Sequence, residues 1–329
     1  TDQVNFPDLF FFEPEIVIRL SADEISIEAA DAESVFEEIK KTVNSSLPVH
    51  TALQIKSRIS KEQYVDYVCQ LQKHIARGDC YEVNYCQEFF AVEAIIDPLH
   101  VYKKLSEASP NPFSALYRVH DKWLICASPE RFLKRSGSFV ISQPIKGTSR
   151  RAIDNEYTDE LNKQALYNSI KDRSENVMVV DLVRNDLAKV CREGTVKVDE
   201  LFGIYSFPQV HQMISTVSGE LKPHISFGEI IRATFPMGSM TGAPKKRVME
   251  LIEQYEQTRR GIFSGAVGYI TPNGDFDFNV VIRSIMYNET SKYLSFQAGS
   301  GITFYSKAEQ EWEECLLKAE AIKKVLENN

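Results

Sequence analysis

The sequence has no run of about 18 apolar residues, so no segment reads as a membrane-spanning helix. Its first residues lack the basic-then-apolar layout of a secretory leader. It also lacks any block of consecutive basic residues, the densest spots being Lys245-Lys246-Arg247 and Arg259-Arg260, and the net charge is −8. Phosphate backbones are held by clustered positive charge, so nucleic acid is not an expected partner. Six cysteines (Cys69, Cys80, Cys86, Cys126, Cys191, Cys315) form no CxxC pair and no disulfide-like spacing, which points to a reducing cytoplasm. The six histidines include no HExxH pair, and there is no G-x-S-x-G elbow, which argues against zinc and serine hydrolases. In "GSMTGAPKK" an Ala-Pro step precedes Lys245, so the phosphate-loop pattern is broken and nucleotide binding is rejected.

What is present is a chain of 329 residues, 43% hydrophobic, enough for a large core. No repeat or Pro/Gly/Ser-rich linker divides it, which favours one continuous domain. Ser60-Lys-Glu-Gln63 reads as a capping box opening a helix whose apolar positions are Val65, Val68, Cys69 and Ile75, with Gly78 as its stop. Strands are expected at 81–91, 113–119, 123–128 and 138–143, the last two joined by the turn-like "SPERFLKRSGS". Helices follow at 154–189 (one or two), 227–234, Pro244 to about Gln257, and 307–327. Further strands are expected at 264–271, 278–287 and 293–298, with a turn at Pro272-Asn273-Gly274. Strands grouped in hairpins with helices between them predict an α+β fold with large antiparallel sheets.

Several positions carry candidate chemistry. The glycine-rich turn before Lys245 runs into a helix N-terminus, which reads either as a tight turn or as a place for an anion. In "EWEECLLK", Glu311, Glu314 and Lys318 share one helix face, which reads either as a salt-bridged surface or as part of a magnesium site completed by Glu175. Glu130 in "ASPERF" either pairs locally with Arg131 or acts as a general acid in a partly desolvated pocket. Lys146 in "SQPIKGTSRR" follows the buried-strand pattern of Phe139, Val140 and Ile141 and precedes a close backbone approach at Gly147-Thr148. A lysine there loses its proton readily and becomes nucleophilic, which is the reading preferred to a solvated charge.

In order along the chain, "GDCYEVNYCQ", "ASPERF", "PIKGTSRR", "ENVMVVDLVRNDL", "FPMGSMTGAPK", "RRGIFSGAVGYI", "VVIRS", "AGSGI" and "EWEECLLK" resemble the chorismate-utilising enzymes from about Ser57 to Lys323. Within that family the "PIKGT" form resembles the aminodeoxychorismate-forming branch; other branches typically carry alanine in place of Lys146. The water-using branches carry lysine where this chain has Glu82. The resemblance implies a domain of two big, mainly antiparallel β-sheets packed together and flanked by helices over residues 56–329. Residues 1–55 would be a shortened N-terminal segment packed on it.

It further implies that chorismate is aminated at C4. Lys146 would be a covalent nucleophile at C2 and Glu130 the acid for the departing hydroxyl, with Mg²⁺ held by Glu175 and Glu314 and with Glu311 nearby. Arg283 would clamp the enolpyruvyl carboxylate, and Gly147, Thr148, Thr241, Gly299, Gly301 and Lys318 would complete the anion pocket. No cysteine lies in a Gly-x-Cys-x-Gly context, so a separate glutamine amidotransferase would supply ammonia. Gln212 stands where most members have histidine, which argues against anthranilate formation, because an amide does not shuttle protons. Phe263 stands where many have tyrosine, and Glu82 where the aminating branches usually have glutamine. The rival readings are anthranilate synthase component I and a non-catalytic chorismate-binding or scaffold paralogue.

Overall fold

Central strands buried on both faces set the architecture seen in a computed structural model, which describes residues 2–42 and 53–327. The chain divides into two compact units, Pro7–Val49 and the remainder. In the first, β1 (Val17–Leu20) pairs antiparallel with β2 (Ile25–Glu28), followed by α1 (Ala32–Lys41), capped by Asp31.

The larger unit holds two seven-stranded sheets whose pairings are all antiparallel, as expected. Its elements are β3 (Lys56–Ser57), α2 (Lys61–Ala76), β4 (Glu82–Ala91), α3 (Pro98–Ala108), β5 (Phe113–Val119), β6 (Lys122–Ser128), β7 (Arg131–Ser136), β8 (Phe139–Gln143) and β9 (Ile145–Arg150). There follow α4 (Glu156–Asn168), α5 (Ile170–Val190), β10 (Lys197–Ser206), β11 (Val210–Glu220), α6 (Phe227–Thr234), β12 (Gly242–Ala243) and α7 (Lys245–Tyr255). The chain closes with β13 (Gly268–Ile270), β14 (Phe276–Asn279), β15 (Ser284–Asn288), β16 (Tyr293–Ile302) and α8 (Ala308–Glu327). One sheet runs β12-β4-β16-β15-β6-β5 with β3 beside β4; the other runs β10-β11-β8-β7-β14-β13 with β9 beside β11.

In β4 the residues Val83, Tyr85 and Phe89 enter a core shared with α2, α7 and α8, where Phe89 and Phe296 stack at 5.2 Å. On its opposite face Cys86 joins a second core drawn from both sheets and from α5 and α6. The β4–β16 register sets Gly299 opposite Cys86 and Gly301 opposite Asn84. The capping box at Ser60 and Gln63 forms, and Gly78 turns the chain out of α2 with φ +85. No described helix is long and apolar enough to cross a membrane.

Some expectations are corrected. "SPERFLKRSGS" is not a turn: Arg131–Ser136 is a strand, in which Arg131 pairs with Asp277 and donates to Gln143 on neighbouring strands. The strand expected at 264–271 shortens to Gly268–Ile270, because Ser264 has φ +64 and Gly265 folds back onto Ile262. The run 278–287 breaks between Asn279 and Ser284, where Val280 leaves the ladder to hydrogen-bond Glu130. Phe139 is 56% exposed, so the run before Lys146 buries only Val140 fully.

Candidate active site

Strand β9 lies beside β11, with Ile145 opposite Ile214 and Thr148 opposite Gln212. From it the Lys146 Nζ reaches Glu82 Oε1 at the start of β4, 2.6 Å away. Both ends are buried: the side chains are 10% and 2% exposed. Burial alone draws the ammonium pKa down, but Glu82, then Glu175 and Glu130, outweigh it, and the net displacement is upward. Lys146 is therefore held here as an ammonium ion, which corrects the expectation of a strand-end lysine that sheds its proton through burial. A Cβ at Gly301 would lie 2.4 Å from Glu82 Oε1 and 3.1 Å from Lys146 Nζ. At Gly147, φ is +92 and a Cβ would meet Asp172 at 2.9 Å, so the residue after the lysine admits no side chain without strain.

Glu130 sits in the connection from β6 to β7, where the chain crosses from one sheet to the other. Its N–H donates to Ser128 Oγ at 3.2 Å, and its carbonyl accepts from Val280 N–H at 3.0 Å. Burial pushes its carboxyl up to about 7, against the lowering influence of the Ser239 hydroxyl, Lys146 and the Ile145 backbone. A cavity of about 20 Å³, large enough for one water, touches Glu130, Ser142, Thr234 and Ser239. A carboxyl with that value is divided between acid and base at neutral pH, which suits proton donation.

Ser169 caps α5, and Lys171 in its first turn stands between Glu175 on the same helix and Glu311 on α8. Burial pushes Glu175 up to about 7, with Lys146 opposing. Lys171 Nζ lies 3.9 Å from Glu175 and 3.7 Å from Glu311. Glu175 Oε1 and Glu311 Oε2 are buried without a hydrogen-bond partner. Glu314 pairs with Lys318 at 2.8 Å, and although burial pushes its carboxyl up, Lys318, Lys171 and Lys146 hold it below the usual range. The two ends of this helix face differ: Glu314–Lys318 is a partly exposed ion pair, whereas Glu311 is 2% exposed. Among the described residues no three or more His, Cys, Asp or Glu side chains already form a metal cage. Orphaned hard oxygens on Glu175 and Glu311 nevertheless fit a divalent cation that takes one or two protein carboxylates, with water and ligand oxygens for the rest.

Arg283 precedes β15 with φ +50, and its carbonyl accepts from Ala127 N–H at 3.2 Å, which ties it to the Glu130 segment. Burial lowers its pKa, and among the described residues its guanidinium has no carboxylate or hydrogen-bond partner. A buried cation left unpaired calls for an anion. Thr241 accepts from Asn84 N–H at 2.7 Å and donates its hydroxyl to Met237 O at 2.9 Å. Thr241 and Phe263 both line an open cleft of about 520 Å³. Lys318 reaches Gly299 O at 2.9 Å.

The fold thus brings Lys146, Glu130, Glu175 and Glu314 into one electrostatic cluster, and backbone hydrogen bonds attach Arg283 and Thr241 to its edges. Thr148, by contrast, is exposed, and Gln212 is buried with Oε1 unpartnered. The helix turn at Lys245 is occupied differently from the anion reading: Lys245 Nζ pairs with Asp186 at 2.6 Å. Sequence reasoning missed Lys171 and Ser239. For Lys171 a signal existed, since it stands four residues before Glu175 on one helix face; Ser239 lay inside a motif read only for its glycines.

A family model described as chorismate binding enzyme matches residues 4–324. The chain is 40% identical over 274 residues to aminodeoxychorismate synthase component 1 of Escherichia coli, covering 83% of this chain and 59% of that protein. It is 32% identical over 343 residues to the Bacillus subtilis protein of the same name, covering 99% and 68%. Among solved structures, anthranilate synthase component I from Streptococcus pneumoniae superposes with a TM-score of 0.79 at 28% identity, covering 89% of this chain and 65% of that one. The chain thus spans about three fifths of the length of the enterobacterial relatives it matches.

Proposed function

Because the chain belongs to the chorismate binding enzyme family, we propose that it is the chorismate-using component of an aminodeoxychorismate synthase. In this reading it replaces the C4 hydroxyl of chorismate with an amino group, on the way to p-aminobenzoate and folate. Ammonia would come from a separate glutamine amidotransferase, in keeping with the component 1 names of its relatives. The cytoplasm is the compartment we infer, and all six cysteines are free.

The observation that carries this reading is the meeting of Lys146 with Glu130, a carboxyl near pKa 7, in one buried cluster. Hydroxide is a poor leaving group, so the C4 oxygen must depart as water. Glu130 in its acid form supplies that proton as the Lys146 amine bonds to C2 and the ring double bond shifts. The new secondary ammonium returns a proton to Glu130. Ammonia then bonds to C4, the double bond shifts back, and the C2–N electron pair leaves with Lys146, whose nitrogen takes the proton from Glu130; the new C4 ammonium gives its extra proton back to Glu130. Glu175 with Glu311 or Glu314 would hold Mg²⁺, whose charge, when bound, neutralises a substrate carboxylate and draws electron density from the ring. Arg283, lacking an internal partner, would receive the other carboxylate through its planar fork.

Product mass tests the proposal. With chorismate, Mg²⁺ and ammonium, a product retaining the enolpyruvyl group supports it, while anthranilate would assign the chain to the other aminating branch. Lys146→Ala should abolish turnover while chorismate still binds; unchanged turnover would reject the covalent role.

A further inference from the structure

We propose that Glu82 is the positioning partner and proton acceptor of Lys146: it fixes the ammonium in the resting chain and takes the proton that Nζ must shed before it can bond to carbon. The inference rests on the reading of Lys146 as nucleophile. Its first support is geometric. Nζ and Oε1 are 2.6 Å apart, and Glu82 is 1% exposed at the first position of β4. Glu82 Oε2 is buried with no hydrogen-bond partner, so among the described residues no other donor competes with Lys146 for this carboxylate. The absence of a side chain at Gly301 gives both ends of the pair their room.

The second support is elimination among the acids that face Lys146. These are Glu82 from β4, Glu130 from the β6–β7 connection and Glu175 from α5, while Glu314 from α8 feels the lysine in return. Lys171 and Asp172 on α5 and Lys318 on α8 border the same group, and none of them is in contact with Nζ. Glu130 must keep its own proton for the departing oxygen. Glu175 has the orphaned oxygen suited to a cation. Glu82 is the acid in contact with the amine and has no other assignment.

The third support is charge conservation. When one N–H bond of the ammonium breaks and the proton forms an O–H bond on Glu82, an ion pair becomes an amine and a carboxylic acid. The pair is neutral overall before and after, so the transfer leaves no uncompensated charge in a buried site. An amide at position 82 would still accept a hydrogen bond but would not take the proton.

The test compares wild type with Glu82→Gln and Glu82→Asp. Trace acetylation by acetic anhydride across pH, mapped to Lys146 by peptide mass, reads its titration without substrate. In wild type the midpoint should lie above that of an ordinary exposed lysine, about 10.4. In E82Q it should fall by one pH unit or more. Identical curves in wild type and E82Q, or a wild-type midpoint at or below the ordinary value, would overturn the proposal; the second criterion holds even where E82Q fails to fold.

In turnover, E82Q should lose at least tenfold in kcat with KM for chorismate within about twofold. Below about pH 7, where Glu130 keeps its acid form, its residual rate should rise about tenfold per pH unit as solvent takes the Lys146 proton. E82D, which keeps a carboxylate, should lack that slope, whereas a merely structural residue would leave the slope flat in both. If the labelling shift occurs and no aminodeoxychorismate forms, the pair stands and the proposed function falls.

Discussion

Glu130 is a carboxyl that the fold keeps at a cost. Its pKa stands raised from 4.5 to about 7, so the folded chain holds a proton there that the unfolded chain has released. The stabilising contribution is complete below about 4.5 and is lost as pH rises through about 7, a difference of roughly 3 kcal/mol at the upper end. Glu130→Gln removes the charge that burial penalises. We expect the variant to be more stable than wild type at pH 8 and little changed at pH 4.5, by urea titration at both values. Its turnover should drop at least a hundredfold, because an amide donates no proton to the C4 oxygen. In wild type the same carboxyl sets the alkaline limb: kcat/KM should fall about tenfold per pH unit above about 7 as the acid form is depleted. A limb displaced beyond pH 9 would remove Glu130 from the acid's role.

At the scale of elements, the close approach of β4 and β16 decides where the lysine can sit. Gly301→Ala would drive a methyl to 2.4 Å from Glu82 Oε1, so the pair, not the strand, must give way. Expected is a fall of at least tenfold in kcat with a near-native circular dichroism spectrum; unchanged turnover would show the pair has slack.

Such positions also mark what the sequence made legible. The capped helix α2, the strand Phe113–Val119 and the helix Phe227–Thr234 were readable because local periodicity and tertiary packing agree there. Strand β7 was not, since Arg131, Lys134 and Arg135 mimic a turn until Asp277 arrives from β14. Strands β9 and β11 escaped for a related reason: β11 buries His211, Gln212, Ser215 and Ser218, so its central position leaves no apolar alternation to read. In the site, the residue types of Lys146, Glu130 and Glu175 were visible. The protonation state of Lys146 was not, because it depends on Glu82, which lies 64 positions away in the chain.

Across the whole molecule, the acidic site joins segments far apart in sequence, Glu175 on α5 with Glu311 and Glu314 on α8. Lys171 lies 3.7 Å from Glu311 and offsets part of the repulsion between these carboxylates. A bound divalent cation would add a stronger tie between the two helices, so Mg²⁺ should raise the stability of the entire larger unit by about 2.7 kcal/mol at roughly 100 times Kd. Glu175→Gln separates this from a nonspecific salt effect, because it acts in opposite directions on the two states. Without metal, the variant escapes the penalty that wild type incurs as pH rises through about 7, and should be more stable at pH 8 by a margin on the order of 1–3 kcal/mol. With metal, it lacks the negative charge of one of the two carboxylates that carry the orphaned oxygens and should gain little from Mg²⁺. Thermal unfolding of both chains at pH 8, with and without Mg²⁺ at constant ionic strength, should therefore show the order of stability narrowing or reversing on addition of the cation. Equal Mg²⁺ responses in the two chains would place the cation away from Glu175 and undo the assignment of this acidic face.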